Sequence, residues 1–328
     1  MTDMAERLPT ERARRRIDAG MLRNFAPPAL LVALILVVEI AAPGFMTVDT
    51  LRVILSDTAV LFILATGVTF VIMIGGIDLS IQALASLASV VLAQSLPYIG
   101  LWGFPAAVLT GLIFGIVSGV VHVKLRVPSF VATLATGGVV AGLALLAANG
   151  RAITIEEAGR LKTAWVNESS FGVPNVVMIA VVIGVVGIWV MRYTRFGRYS
   201  AAVGAGEPAA RAAGINVQRT KITAFAISGM LAGIAGAILA ARLSSGSPTL
   251  ANQMLLPAIA AVIVGGTAIT GGLGGVGRTV VGALIISIVR IGMTFAGVNI
   301  FAENIVFGAV LIAAVAITID RSKIAIIK

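Results

Sequence analysis

Apolar positions in this chain run together for lengths that no soluble core needs. Stretches of about 20 apolar residues, enough helix to cross a hydrocarbon layer of about 30 Å, recur along almost its whole length. Ten can be read, over residues 26–42, 51–74, 81–96, 101–122, 128–148, 173–191, 221–241, 256–270, 278–298 and 303–319. The third and eighth are short for a span, which points to segments that are tilted, broken or covered by neighbours. The pattern predicts an all-α polytopic membrane protein with about ten transmembrane helices. A basic tail over residues 1–24 precedes a transmembrane domain over 25–320, which is interrupted by a polar loop at 192–221 and followed by a tail at 321–328.

Composition agrees. At 59% hydrophobic and 12% charged, 328 residues carry too little polar surface to cover a soluble globule. The net charge of +10 is not a nucleic-acid footprint, because the basic residues collect between and beyond the apolar runs. With the N-terminus in the cytoplasm, 18 of the 24 Lys and Arg fall inside and 5 outside, with Arg290 within a span. Ten spans return the C-terminus to the cytoplasm. The basic head, followed by Pro27, Pro28 and no small-residue cleavage site, reads as leading into a retained first helix. There is no Cys, and the single His122, between the apolar run and Lys124 and Arg126, reads as structural. The 149–172 loop, with Trp165 exposed, reads either as a solvated connector or as a docking surface for an extracytoplasmic partner. Its Asn167-Glu168-Ser169 sequon has little weight alone.

No Ser/His/Asp set, carboxylate pair or metal-ligand spacing is present, so no catalytic residue, bound cofactor or metal is expected and an intramembrane enzyme is disfavoured. Gly272-Leu273-Gly274-Gly275-Val276-Gly277-Arg278-Thr279 approaches a phosphate-binding loop, but Arg278 replaces the lysine and a membrane span follows. It reads instead as a Gly-rich turn that lets helices approach. The ionisable residues in the spans are Glu39, Asp57 and Glu303 near outer ends and Arg290 mid-span, so no acidic or His group sits at mid-membrane as an ion-driven carrier would need. Arg290 requires a partner or water. Asp78, in the break Gly75-Gly76-Ile77-Asp78-Leu79-Ser80, either caps the helix that follows or meets a substrate. VIMIGGIDLS before that span is echoed by VIVGGTAIT at the end of the eighth segment, as in a pair of parallel repeats. Gly75, Gly76, Asp78, Ser80, Gly265, Gly266 and Thr267 are therefore candidates for lining a translocation path. Small residues four apart mark close helix contacts: Gly111, Gly115 and Gly119; Gly138 and Gly142; Gly229 and Gly233.

The loop 192–221 organises the rest. Pro208 suits a first helical turn, Glu207 complements the positive end of a helix dipole, and Gly214 suits a stop, so a short helix is expected over 207–213. A helix of that length does not persist alone in water. It is pinned by neighbouring helices or held by a partner, unless the segment is a solvated loop with a single helical turn.

GGIDLS (75–80), KLRVPSFVATLAT (124–136), RFGRYSAAVGAGEPAARAAGINVQRTK (195–221), ARLSSGSPT (241–249) and AIAAVIVGGTAITGGLGGVGRTVVGALI (258–285) occur in an order that resembles the membrane permease of ribose-type ABC sugar importers. The resemblance implies two permease copies in the lipid bilayer, a cytoplasmic ABC ATPase that uses ATP and magnesium, and a periplasmic sugar-binding protein. It also implies that Glu207, Pro208, Ala209, Ala210, Arg211 and Gly214 couple the permease to the ATPase. Pro208 stands where alanine is usual, and Ile81-Gln82-Ala83 where the family has Val-Gly-Ser. A branched-chain amino-acid permease of the same general architecture, an ion-driven carrier and a membrane scaffold are the alternatives. The sequence does not identify the sugar.

Overall fold

The structure, a computed structural model, describes residues 27–41, 43–299 and 302–318. The expected tails at 1–24 and 321–328 lie outside the described residues, as does the side chain of Glu303. The first half of the chain forms α1 (Pro27–Ala41), α2 (Val48–Met73), α3 (Ile81–Ile99), α4 (Gly103–Lys124), α5 (Ser129–Ala147), α6 (Glu157–Thr163) and α7 (Asn175–Tyr193). The second half forms α8 (Arg195–Ala205), α9 (Glu207–Ala212), α10 (Val217–Leu243), α11 (Leu255–Val264), α12 (Val276–Phe295) and α13 (Glu303–Thr318). Among the described residues six helical stretches are long and apolar enough to cross a membrane, which makes the chain a polytopic helical membrane protein. They are α2, the run from α3 through α4, α5, α7, α10 and α12; the α3–α4 run folds back on itself at Gly100.

α2 and α10 occupy the centre. From Thr58 to Met73 every residue of α2 is buried, as expected of a helix that is apolar on all sides. Two of its buried hydroxyls are satisfied locally and across the core, while that of Thr58 has no partner among the described residues: Thr66 and Thr69 each donate to a carbonyl one turn back at 2.7 Å, and Thr69 lies 2.7 Å from the Thr279 hydroxyl of α12. α3, α4 and α8 pack on α10, and α7, α11 and α12 on α2.

The α4–α10 seam depends on missing side chains. A Cβ on Gly111 would lie 2.2 Å from the Gly229 carbonyl oxygen, one on Gly229 2.2 Å from that of Gly111, and one on Gly115 2.4 Å from that of Phe225. Gly119 and Gly233 extend the seam against Ile222 and Val108. Gly138 and Gly142 of α5 differ: nothing lies within 4 Å of either, so the close contact expected there is not made within this chain. Small residues pack only where another backbone is brought to them, and the spacing alone does not say which face is covered.

Apart from the 192–221 loop, two segments differ from their expected form. The helix expected over 256–270 stops at Val264, and residues 265–275 form an irregular Gly-rich passage. The 149–172 loop is neither a bare connector nor freely exposed. Its strand β1 (Ile153–Thr154) pairs with a later strand at Ser245–Gly246, β2 (Ser169–Ser170) pairs with β3 (Val173–Pro174), and α6 seats Gly159 near Leu96 of α3. Trp165 packs on Phe104 at 5.6 Å between ring centroids. Counting that later strand as β4 (Ser245–Gly246), the loop is a cap tied to the end of α10.

Helix directions follow from the contacts. The C-terminal end of α2 meets residues just beyond α11, so α2 and α11 end at the same face of the bundle. The start of α10 and the start of α12 reach that face, and the chain leaves α7 there to form α8 and α9. The end of α10 lies beside the start of α2, where Arg242 donates to the Ser56 carbonyl at 3.0 Å. The partner that Arg290 requires is also at that end: its guanidinium pairs with the Asp57 carboxylate, tying α12 to α2.

Candidate coupling and translocation site

The loop expected over 192–221 is mostly helical. Thr194 starts α8 by accepting the Gly197 N–H on its hydroxyl at 3.3 Å, and the helix buries Gly197, Ser200 and Val203 against the bundle. Sequence reasoning missed α8. Its polar and apolar positions alternate with helical period, but its basic residues, together with the Gly204-Ala205-Gly206 triplet, read as a break.

α9 begins at Glu207 with Pro208 in its first turn and ends in a Schellman motif. The Gly214 N–H donates to the Arg211 carbonyl at 3.1 Å, and the Ile215 N–H to that of Ala210 at 3.1 Å. Gly214 adopts φ +78°, which the motif requires of its left-handed residue. Ala210 is buried with Val71 and Ile74 at the end of α2, Val203 of α8, and Val217 and Phe225 of α10. Arg211 is exposed and pairs with Glu207 one turn back. The other Glu207 oxygen accepts from the Lys221 ammonium of α10 at 2.6 Å. The short helix is therefore pinned from within the chain, by an apolar plug and by an ion pair.

The Lys221 ammonium, with Arg211 adding to it, holds the Glu207 carboxyl below the ordinary glutamate value of 4.5. A lowered carboxylate stabilises the folded form fully above its ordinary value and loses that contribution as pH falls through the depressed one. Hydrogen-exchange protection of the α9 amides is expected to hold near neutrality and to fall as the pH drops below about 4.5. In Lys221→Ala protection is expected to be weaker at neutral pH and to vary less with acid. Unchanged protection in that variant would dismiss the ion pair as an anchor.

Beneath α8 the two breaks meet. The Gly272 N–H donates to the Met73 carbonyl at 3.0 Å, bridging the end of α2 to the passage beyond α11. Gly204 of α8 closes on both: a Cβ there would sit 2.0 Å from the Met73 oxygen and 2.4 Å from the Gly272 nitrogen. Gly75, with φ +75°, has the Gly271 backbone against it. The resemblance between GGIDLS and GGTAIT thus falls on two turns in mutual contact. Gly204 and Gly271 were not singled out from the sequence, and Gly272 only as the start of a Gly-rich turn, since nothing in a glycine reports its distant neighbour.

Of the candidate path residues, Gly75 is exposed, Gly266 partly so, and Gly76, Asp78, Ser80, Gly265 and Thr267 are buried. Thr267 accepts the Gly275 N–H on its hydroxyl at 3.2 Å, which closes the passage into the start of α12. Asp78 sits at the start of α3. One carboxyl oxygen accepts the Ser80 N–H at 2.9 Å and the Ser80 hydroxyl at 2.6 Å; the other accepts the Ser228 hydroxyl of α10 at 2.8 Å. Gly67 of α2 also lies against Ser228, so the chain turns back after α2 and starts α3 well inside the bundle. Thr133 and Ser129 of α5 accept the Leu79 and Ile77 N–H groups, both at 3.0 Å, which satisfies the backbone of this re-entrant break. Ser228 went unnoticed in sequence because it lies 150 residues from its partner.

Asp78→Ala removes the acceptor for three buried donors and is expected to destabilise by about 2 kcal/mol or more. Asp78→Asn keeps one oxygen for Ser80 and offers an amide to Ser228. It is expected to unfold near the wild-type temperature in a detergent melt. Equal melting temperatures for the alanine variant and wild type would show that the network does not hold α3 to α10.

Residues 50–315 match the family model described as branched-chain amino acid transport system / permease component. The chain is 36% identical over 318 residues to the ribose import permease protein of Escherichia coli (strain K12), covering 96% of this chain and 98% of that one. It is 36% identical over 327 residues to the ribose import permease protein of Bacillus subtilis (strain 168), covering 97% and 98%. The L-arabinose transport system permease protein of Escherichia coli (strain K12) is 34% identical over 306 residues, covering 93% and 90%. No solved structure matches. By the family model and these relatives, this bundle of apolar helices with a pinned polar helix at one face is that of a transport permease, a membrane component with no catalytic role of its own. The chain belongs to the permease-component family of these transport systems.

Proposed function

We propose that this chain is the permease subunit of an ATP-driven ABC importer for a monosaccharide or related polyol in a bacterial inner membrane. The named relatives, which transport ribose and L-arabinose and align along nearly the whole chain, support the sugar class. The basic residues support an orientation with α8 and α9 in the cytoplasm. Lys124, Arg126, Arg278 and all the Lys and Arg from 192 to 221 lie at the α9 face, whereas Arg52, Arg151, Arg160, Lys162 and Arg242 lie toward the other. Ten membrane helices with both termini inside complete this reading.

The observation that carries the mechanism is the mounting of α9 on α8, whose Gly204 presses on both breaks at once. A cytoplasmic ABC ATPase, closing on ATP and magnesium, grips α9 through its exposed Pro208, Ala209 and Arg211 side. The displacement passes through α8 to the ends of α2 and α11, and so to Asp78, Ser80, Gly265, Gly266 and Thr267 beside the path. A second permease copy frames the other side of the path, and a periplasmic binding protein delivers the sugar to the β1–β4 cap.

The test is reconstitution of the chain in proteoliposomes with its cognate ATPase and binding protein, scoring ATP hydrolysis against pentoses, hexoses, polyols and amino acids. Stimulation by one sugar is expected, with Ala210→Pro breaking α9 and abolishing stimulation while the complex stays assembled. Stimulation by amino acids alone would overturn the sugar assignment. Uptake that persists without the ATPase and collapses with an uncoupler would overturn the importer.

A further inference from the structure

A groove of about 560 Å³ opens beside α9, between the α4–α5 turn and the first turns of α10, and is lined by His122, Arg126, Pro128, Glu207, Arg211 and Lys221 among others. Its charges do not balance. Glu207 answers both Arg211 and Lys221, and Arg126 makes no hydrogen bond or ion pair among the described residues. Arg126 is also held at φ +56°, a left-handed backbone that strains a side-chain-bearing residue and suits glycine. The turn is fixed from beneath, because the His122 ring hydrogen-bonds the Val127 carbonyl through Nδ1 at 2.6 Å. An arginine standing where glycine would be easier, and lining a groove with surplus positive charge, calls for an anion.

The surroundings narrow the anion. Leu125 directly precedes Arg126 and is 68% exposed, while Phe130 and Leu134 in the first turns of α5 are 50% and 64% exposed. Positive charge beside bare apolar side chains, at the ends of helices that enter the hydrocarbon, matches a phosphate headgroup with acyl chains lying along the bundle. We propose that this groove binds the phosphate of an anionic phospholipid, with Arg126 as its principal contact. Such a lipid would lie against Glu207 and Arg211 and bear on the position of α9. The permease alone is the binding species, so the proposal stands or falls apart from ATP-driven coupling.

The test uses the purified full chain in detergent, titrated with phosphatidylglycerol and with phosphatidylcholine and read by native mass spectrometry. Phosphatidylglycerol is expected to be retained in preference. Arg126→Gly, and Arg126→Asn as a second variant tolerant of left-handed backbone, are each expected to lower that preference about fivefold, the effect of one basic residue near a phosphate, without lowering the melting temperature. Arg126→Lys is expected to keep most of it. Undiminished preference in the glycine and asparagine variants would overturn the site. Displacement of the lipid by millimolar inorganic phosphate, again dependent on Arg126, would assign the groove to a soluble phosphate and overturn the lipid.

Discussion

Gly204→Val is expected to prevent the permease from reaching a stable fold, whereas Gly206→Ala, two residues on, is expected to be nearly silent. A Cβ at position 204 would stand 2.0 Å from the Met73 oxygen, 2.4 Å from the Gly272 nitrogen and 3.0 Å from the Gly271 carbonyl carbon. All three are backbone atoms, and the first two are joined by the hydrogen bond that holds the breaks together. No rotamer relieves such a clash. Either α8 lifts away, exposing Val203 and the apolar plug beneath α9, or the ends of α2 and α11 separate. Overpacking of a well-filled core costs about 1–3 kcal/mol, and rigid backbone on every side places this substitution at the upper end or beyond. At Gly206 nothing lies within 4 Å, and its φ of 173° is ordinary extended backbone. Size-exclusion profiles and melting temperatures of the two variants in detergent check the contrast. A monodisperse Gly204→Val protein melting with the wild type would mean that α8 does not bear on the breaks, and the proposed transmission route would go with it.

Gly229→Leu is expected to be comparably damaging, through the α4–α10 seam. Helices in lipid gain no hydrophobic advantage by associating, so the seam relies on backbones close enough for dense van der Waals contact. Gly229 faces the Gly111 oxygen and the Gly115 Cα, and a Cβ there would sit 2.2 Å and 2.7 Å from them. A leucine would force the helices apart over several turns, unpacking Gly111, Gly115 and Gly233 together and disturbing Ser228, the partner of Asp78. Gly142→Leu on α5 is the control, with open space around it within the chain. The Gly229 variant is expected to aggregate or melt far below wild type, and the Gly142 variant to fold as a single chain. If the Gly142 variant folds but fails to dimerise, the open face of α5 is where the second copy packs. Equal stability of Gly229→Leu and wild type would show that the seam is not close-packed.

The chain itself determined a great deal. Runs of apolar residues leave the backbone no option in lipid except helix, so every long segment was legible, and so were the ends of α9, where Pro208 and Gly214 have backbone requirements independent of their surroundings. The α4 and α10 glycines announced a close approach for a similar reason: in an apolar helix a missing side chain serves contact. Partnership was not legible. Gly138 and Gly142 carry the same signal as Gly111 and Gly115, yet only the second pair meets a neighbouring helix in this chain. The ten residues of α11, the folded 149–172 cap and the existence of α8 were settled by what packs on them. So were the answers to Arg290 by Asp57, to Asp78 by Ser228, and to one broken turn by the other. Local conformational preference is written within a few residues, whereas a hydrogen bond or a steric fit between positions as far apart as 78 and 228 exists only once the bundle has closed.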